Sequence, residues 1–243
     1  MAKKKIARKE LLKESDEFLT FSRRLFRSIM ENINHVAVGL GVFLCIILVI
    51  AGIRYFSEKS QVKAFGLMGQ AVSKYESELR DNGQEKAYAA VKADFDLLLD
   101  EYAGKDAAKM ARVVYAGICG DAGEPDRAIE LYNAAIGDFS DDPSLKTLVL
   151  SGLAYAHEAK KDYKAATGCF EKIANDPDSV MRDEAFYNLG RLYNRMGDAE
   201  KSTNAYKKVV SDYPDSMYVE LVREKVGATA EADATTAEEK GKG

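Results

Sequence analysis

His35, His157, Cys45, Cys119 and Cys169 are the chain's full stock of imidazoles and thiols. A zinc centre needs three or four such ligands converging, and a nucleophile needs a base within hydrogen-bond reach. His157 is followed by Glu158, but adjacent residues on a helix point to different faces. The sequence holds no HExxH pair, glycine-rich phosphate loop or nucleophile elbow. The cysteine spacing fits neither a metal pattern nor a disulfide framework. Cys119 and Cys169 read as small buried hydrophobes, and a bridge between them would need a geometry that spacing does not supply. Asp141 and Asp142 flank a turn, where Asp starts turns and caps helices. No catalytic residue, metal, cofactor or small-molecule substrate is expected, and the chain is not read as an enzyme.

What the residues do at regular spacing is pack. In "AFYNLGRLYNRMGDAEKSTNAYKKVVSDYP", Phe186, Leu189 and Tyr193 recur at three and four residues, on one helical face. After "RMGD", Ser202, Tyr206 and Val209 repeat the spacing, and Pro214 stops it. Such a helix–turn–helix hairpin has more apolar face than it can bury alone, so it needs copies beside it. Leu150, Leu153 and Ala154 followed by Ala166, Phe170 and Ile173 form one copy; Ala116 followed by Ala128 and Tyr132 belongs to another. Tyr132, Phe170 and Tyr206 lie 38 and 36 residues apart.

This pattern resembles the tetratricopeptide repeat, through "LGRLY", "GD", "AY" and "YP", with "DYKAATGCFEKI" similar to its second helix. The resemblance covers roughly residues 62–226. Gly190 and Ala154 would stand where paired helices approach most closely. Gly costs about 1 kcal/mol against Ala inside a helix, so a packing reason is expected at Gly190. The stretch 57–82 pairs with "QEKAYAAVKADFDLLLDEYAG", in which Phe95, Leu98 and Tyr102 share a face, as a degenerate first repeat. "SMYVELVREKVG" is expected to close the array as a capping helix. The domain is set at 57–227, and 228–243, without large apolar side chains, is expected to be disordered.

Before the repeats, "VAVGLGVFLCIILVIAGI" (Val36 to Ile53) is uncharged, with Arg54 directly after it and Tyr55 and Phe56 next. As a helix it spans about 27 Å, close to a hydrocarbon core of about 30 Å. It is read as one membrane-spanning helix, uncleaved, because signal peptides carry shorter apolar cores and leaders. Residues 1–35 form a basic segment, nine Lys/Arg against five Asp/Glu, so the overall −4 leaves −8 on residues 54–243. An acidic domain does not suit nucleic acid, whose phosphates need clustered cations. Phe18, Phe21, Leu25, Ile29 and Ile33 fall at helical spacing, with Arg23, Arg24 and Arg27 largely elsewhere on the wheel. That pattern fits either a headgroup-level helix or a partner-docking one. Ala37 and Gly41 form a small-xxx-small pair, the spacing of some paired membrane helices. Flanking charge within twenty residues is tied, three cations on each side. The basic N-terminus favours the cytoplasmic side, with the repeat domain across the membrane.

Tetratricopeptide arrays bind segments of other proteins along their first helices. That resemblance implies a face presenting Val113, Ser151, Tyr155, Tyr187, Arg191 and Asn194, of which Tyr155, Tyr187, Arg191 and Asn194 are the expected partner-binding residues. Tyr155 and Tyr187 either line a groove or cover neighbouring helices. The Lys/Asn clamp with which some arrays hold a C-terminal carboxylate is not reproduced: Glu184, Tyr187, Asn188 and Arg191 stand there instead. The layout resembles the bacterial inner-membrane ancillary subunits of the Sec translocon, and "SDYPDSMYVE" resembles repeats of periplasmic envelope-assembly factors. The expectation is an all-α protein: one transmembrane helix, then a tetratricopeptide-like solenoid in the periplasm. It would bind envelope or translocating proteins, or act as a scaffold subunit in a larger envelope assembly.

Overall fold

A computed structural model of the chain describes residues 21, 23–24 and 26–225. The expectations for Phe18, Leu25 and the tail 228–243 lie outside the described residues. The chain divides into two compact units, residues 1–59 and 60–243. All regular structure among the described residues is helical: α1 (Ile33–Asn82), α2 (Gln84–Glu101), α3 (Asp106–Asp121), α4 (Pro125–Asp138), α5 (Pro143–Ala159), α6 (Tyr163–Asn175), α7 (Arg182–Arg195) and α8 (Ala199–Asp212).

In the first unit, the described residues from 21 to 31 are helical apart from the two not described. The amides of Asn32 and Val36 donate to the Ser28 and Asn32 carbonyls at 3.2 and 3.0 Å. An 18-residue window within α1 has a mean hydropathy of 3.0, and none of it is buried against the rest of the chain.

The second unit is a row of antiparallel hairpins. Each of α2 to α7 packs on the next, and α3 also packs directly on α5. The part of α1 in this unit buries Ala64, Ala71 and Tyr75, and its Lys74 pairs with Asp94 of α2 at 2.8 Å. The positions expected to face inward do so. Phe95, Leu98, Tyr102, Ala116, Ala128, Tyr132, Leu150, Leu153, Ala154, Ala166, Phe170, Ile173, Phe186, Leu189, Ser202, Tyr206 and Val209 are all buried, and Tyr193 is half-buried. Residues 219–225 form a last helix whose Val219 and Val222 are buried, as a cap requires.

The turns repeat as well as the core. Gly123, Lys161 and Gly197 have φ of 80°, 62° and 80°. Behind each, an amide closes on a carbonyl five residues earlier: Glu124 on Cys119, Asp162 on His157 and Asp198 on Tyr193, at 2.9–3.0 Å. This is the Schellman ending, which places a left-handed residue after a helix. The next residue starts the following helix. Asp162 caps the Ala165 amide and Asp198 the Lys201 amide. Asp142, expected at a turn, caps α5 through the amides of Ser144 and Leu145.

Close approach is visible at two glycines. A Cβ on Gly190 would stand 2.5 Å from Tyr206 Cδ1 and Cε1 and 2.9 Å from its Cγ, so the ring of α8 lies directly on α7. Ser202 Oγ donates to the Gly190 carbonyl at 2.7 Å. Gly152 is the second, with Tyr132 Cζ, Oη and Cε1 at 2.3, 2.5 and 2.7 Å from its would-be Cβ. The reading of Ala154 as the tight point of its helix misses this. Gly152 receives the tyrosine of the preceding hairpin, a contact between repeats that the spacing within one hairpin does not reveal.

Candidate protein-binding face

Helices α5 and α7 occupy equivalent places in successive hairpins, and long polar side chains bridge them. Tyr155 Oη donates to Glu184 Oε1 at 2.9 Å and accepts from Asn188 Nδ2 at 3.0 Å. Asn188 Nδ2 also reaches the Glu184 carbonyl at 3.1 Å. One turn on, Arg191 clasps Glu158 with both ends of its guanidinium, at 2.5 and 2.6 Å, and donates to Asn188 Oδ1 at 2.9 Å. Arg195 adds a second cation 3.1 Å from Glu158, whose side chain is only 12% exposed.

Buried polar groups must be satisfied or they cost free energy. Here each accounts for another: Asn188, 3% exposed, uses its carbonyl on Arg191 and its amide on Tyr155 and Glu184. Burial, and then the donation to Glu184, pushes the Tyr155 hydroxyl up to about 12. The Glu158 carboxylate holds the Arg191 guanidinium above its ordinary range. Below the polar row, Tyr155 meets Phe170 edge-on with centroids 5.5 Å apart. Tyr187 stacks on Tyr218 at 4.6 Å and leans on Tyr206 at 6.2 Å.

Of the four residues expected to bind a partner, Tyr155 and Arg191 share one hydrogen-bonded ladder, through Asn188. Tyr187 lies in the aromatic stack beside it. Asn194 is exposed one turn after Arg191 and outside the ladder. Val113 is half-buried and Ser151 buried, so neither is freely presented. Of the two readings open for Tyr187, cover of neighbouring helices is the one observed: its ring packs against Tyr206 and Tyr218, and Arg191 is held by Glu158 of α5. Sequence reasoning missed Glu158 and Asn188 as the hubs. The signal was available, since Tyr155, Glu158, Glu184, Asn188 and Arg191 recur at three and four residues. Partners across two repeats, however, become apparent only once the repeats are stacked.

A second polar contact repeats down the row. Thr147 Oγ1 donates to Ser179 Oγ at 3.3 Å, and Ser216 Oγ donates to Asp183 Oδ2 at 2.6 Å. Thr147 and Asp183 stand 36 residues apart, as befits equivalent positions of α5 and α7. His157 is near one acid, Nδ1 to Asp162 Oδ2 at 3.8 Å. Among the described residues, no group of three His, Cys, Asp or Glu side chains is placed to hold a metal ion.

The chain belongs to the tetratricopeptide repeat-like domain family, whose model matches residues 30–231. A structure of a Podosopora anserina putative kinesin light chain with nearly identical TPR-like repeats is 13% identical, with a TM-score of 0.54. The match covers 72% of this chain and 90% of that one. BtubC (BKLC) from P. vanneervenii is 14% identical at a TM-score of 0.54, over 74% of this chain and 78% of its own. At such identity the likeness shows the fold alone. No curated protein is significantly similar in sequence. Folds of this class are typically non-catalytic scaffolds that mediate protein–protein interaction.

Proposed function

We propose that the chain is a membrane-tethered protein-interaction module. The observation that carries this reading is a pairing: an 18-residue window of mean hydropathy 3.0, none of it buried by the chain, precedes a tetratricopeptide repeat-like domain. Apolar surface of that extent needs a solvent other than water, and its length suits a bilayer. The basic N-terminus stands on the cytoplasmic side of a bacterial inner membrane and the repeats in the periplasm, the layout of the Sec-translocon ancillary subunits it resembles. The proteins bound are envelope or translocating chains.

The α5–α7 face is the binding surface. Tyr155 is 43% exposed above a fixed base, Asn194 is exposed one turn beyond Arg191 on α7, and Arg191 holds the two helices in register through Glu158. A surface already ordered loses little conformational entropy on binding. One observation favours a scaffold role instead: Arg191 spends its hydrogen bonds on Glu158 and Asn188, as a packing residue would.

A photo-crosslinking amino acid at Asn194, in native membranes, tests the face, with Lys207 of α8 as the comparison site. Adducts to several client proteins at Asn194 and few at Lys207 are expected. A single stoichiometric partner would favour the scaffold. Equal labelling at both sites, or none at Asn194, would remove the face.

A further inference from the structure

We propose that Arg23, Arg24 and Arg27 form a docking strip for the headgroups of anionic phospholipids. This rests on the membrane-spanning reading of α1 and adds a lipid preference to it. The described residues 21–31 are helical and exposed. At 3.6 residues per turn, Phe21, Phe26, Ile29, Met30 and Ile33 fall on one half of the surface. The three arginines fall together on the other. Phe21 and Phe26 are 63% and 67% exposed, so nothing among the described residues covers the apolar half.

The two halves ask for different parts of the same surface. Exposed phenylalanine and isoleucine are stabilised in the acyl boundary, while a guanidinium forks onto phosphate oxygens with two parallel hydrogen bonds. Hydrogen bonding continues from Ser28 through Asn32 to Val36. A segment lying along the membrane surface keeps Arg23, Arg24 and Arg27, nine to thirteen residues before the apolar run, all at headgroup depth. Glu31 is the one acid in 21–31 and lies a turn beyond Arg27, so the strip keeps a net charge of about +2. Cations at that depth favour anionic over zwitterionic lipid by roughly fivefold each, and salt screens the effect.

The full chain, reconstituted in phosphatidylcholine bilayers containing either spin-labelled phosphatidylglycerol or spin-labelled phosphatidylcholine, tests this. The readout is the relative fraction of each lipid immobilised at the protein. Phosphatidylglycerol should be preferred, and R23Q/R24Q/R27Q should lower that preference at least about fivefold. Lysine at the same positions should retain most of it, and high salt should weaken it. A wild-type preference near unity overturns the proposal. So does one unchanged by the triple substitution, which would place the lipid contact among other basic residues or leave the strip to an acidic protein. Alkaline-carbonate extraction of the same vesicles separates the two readings. A chain that stays embedded without lipid preference defeats the strip alone, whereas a chain that washes out defeats the span and the strip together.

Discussion

Two stretches of the chain are rich in apolar side chains and meet opposite surroundings. In α7 and α8, Phe186, Leu189, Leu192, Tyr206 and Val209 are buried against one another and their neighbours. In α1, Val38, Leu40, Leu44, Leu48 and Val49 are at least 55% exposed. The glycines divide in the same way. A Cβ on Gly190 would collide with Tyr206, whereas one on Gly41 would meet nothing within 4 Å. Apolar character thus has two solutions here: an amphipathic face finds a partner helix, and an all-round apolar helix needs another solvent.

The largest contrast is in thiol protection. Burial pushes the Cys119 thiol up to about 11 and raises that of Cys169, so near pH 8 both are short of thiolate as well as enclosed. Reaction with a polar maleimide in proteoliposomes should be roughly a thousandfold slower for both than in urea. For Cys119, higher pH should restore reactivity only towards 11. Cys45, exposed in α1, should be shielded by lipid and stay unreactive in urea, where the other two are released. Mass spectrometry of the labelled sites reads all three at once.

Next in size is Gly190→Leu. The new side chain meets Tyr206 at the root of its ring, which cannot swing away, and overpacking of this kind costs about 3 kcal/mol. The repeat domain's Tm, followed by circular dichroism, should fall by about 6–12 °C. Gly41→Leu should leave that Tm unchanged. Gly152→Ala should cost less than Gly190→Ala, because Gly152 meets only the far end of the Tyr132 ring.

Arg191→Ala removes both bonds to a Glu158 that is nearly enclosed, and leaves it with Arg195 alone. A loss of about 1–2 kcal/mol in urea unfolding is expected. Arg191→Lys should recover only part of it, since an ammonium cannot fork across both oxygens. Tyr187→Ala added to Arg191→Ala should destabilise further, since Tyr187 stacks on Tyr218 and leans on Tyr206.

The hairpins themselves were legible in the sequence because each repeat carries its own period. Phe186 to Val209 names a packing face without any knowledge of neighbours, and "RMGD" names its turn. Gly152, Glu158 and Asn188 were not legible as contacts. Each acts between hairpins, on a residue 20 to 33 positions away in the chain, and such a distance has no local signature. Lys161 falls between these cases. It stands 38 residues after Gly123 and 36 before Gly197, in the same left-handed turn, but carries a side chain where its equivalents have none.

Lys161→Gly supplies the smallest effect, and it is a gain. A left-handed residue with a Cβ is strained by roughly 1 kcal/mol, partly offset by the greater freedom of glycine in the unfolded chain. A net stabilisation of about 0.5 kcal/mol is expected from urea unfolding. No gain would mean that the lysine relieves its strain through contacts of its own.

The division between the two apolar regions is tested most directly by washing native membranes with alkaline carbonate and locating the full-length chain. Retention in the pellet, with release only by detergent, is the predicted result, because residues 36–53 would have lipid as their solvent. Full-length protein in the carbonate supernatant would contradict it, and α1 would then need a protein partner to cover the same surface.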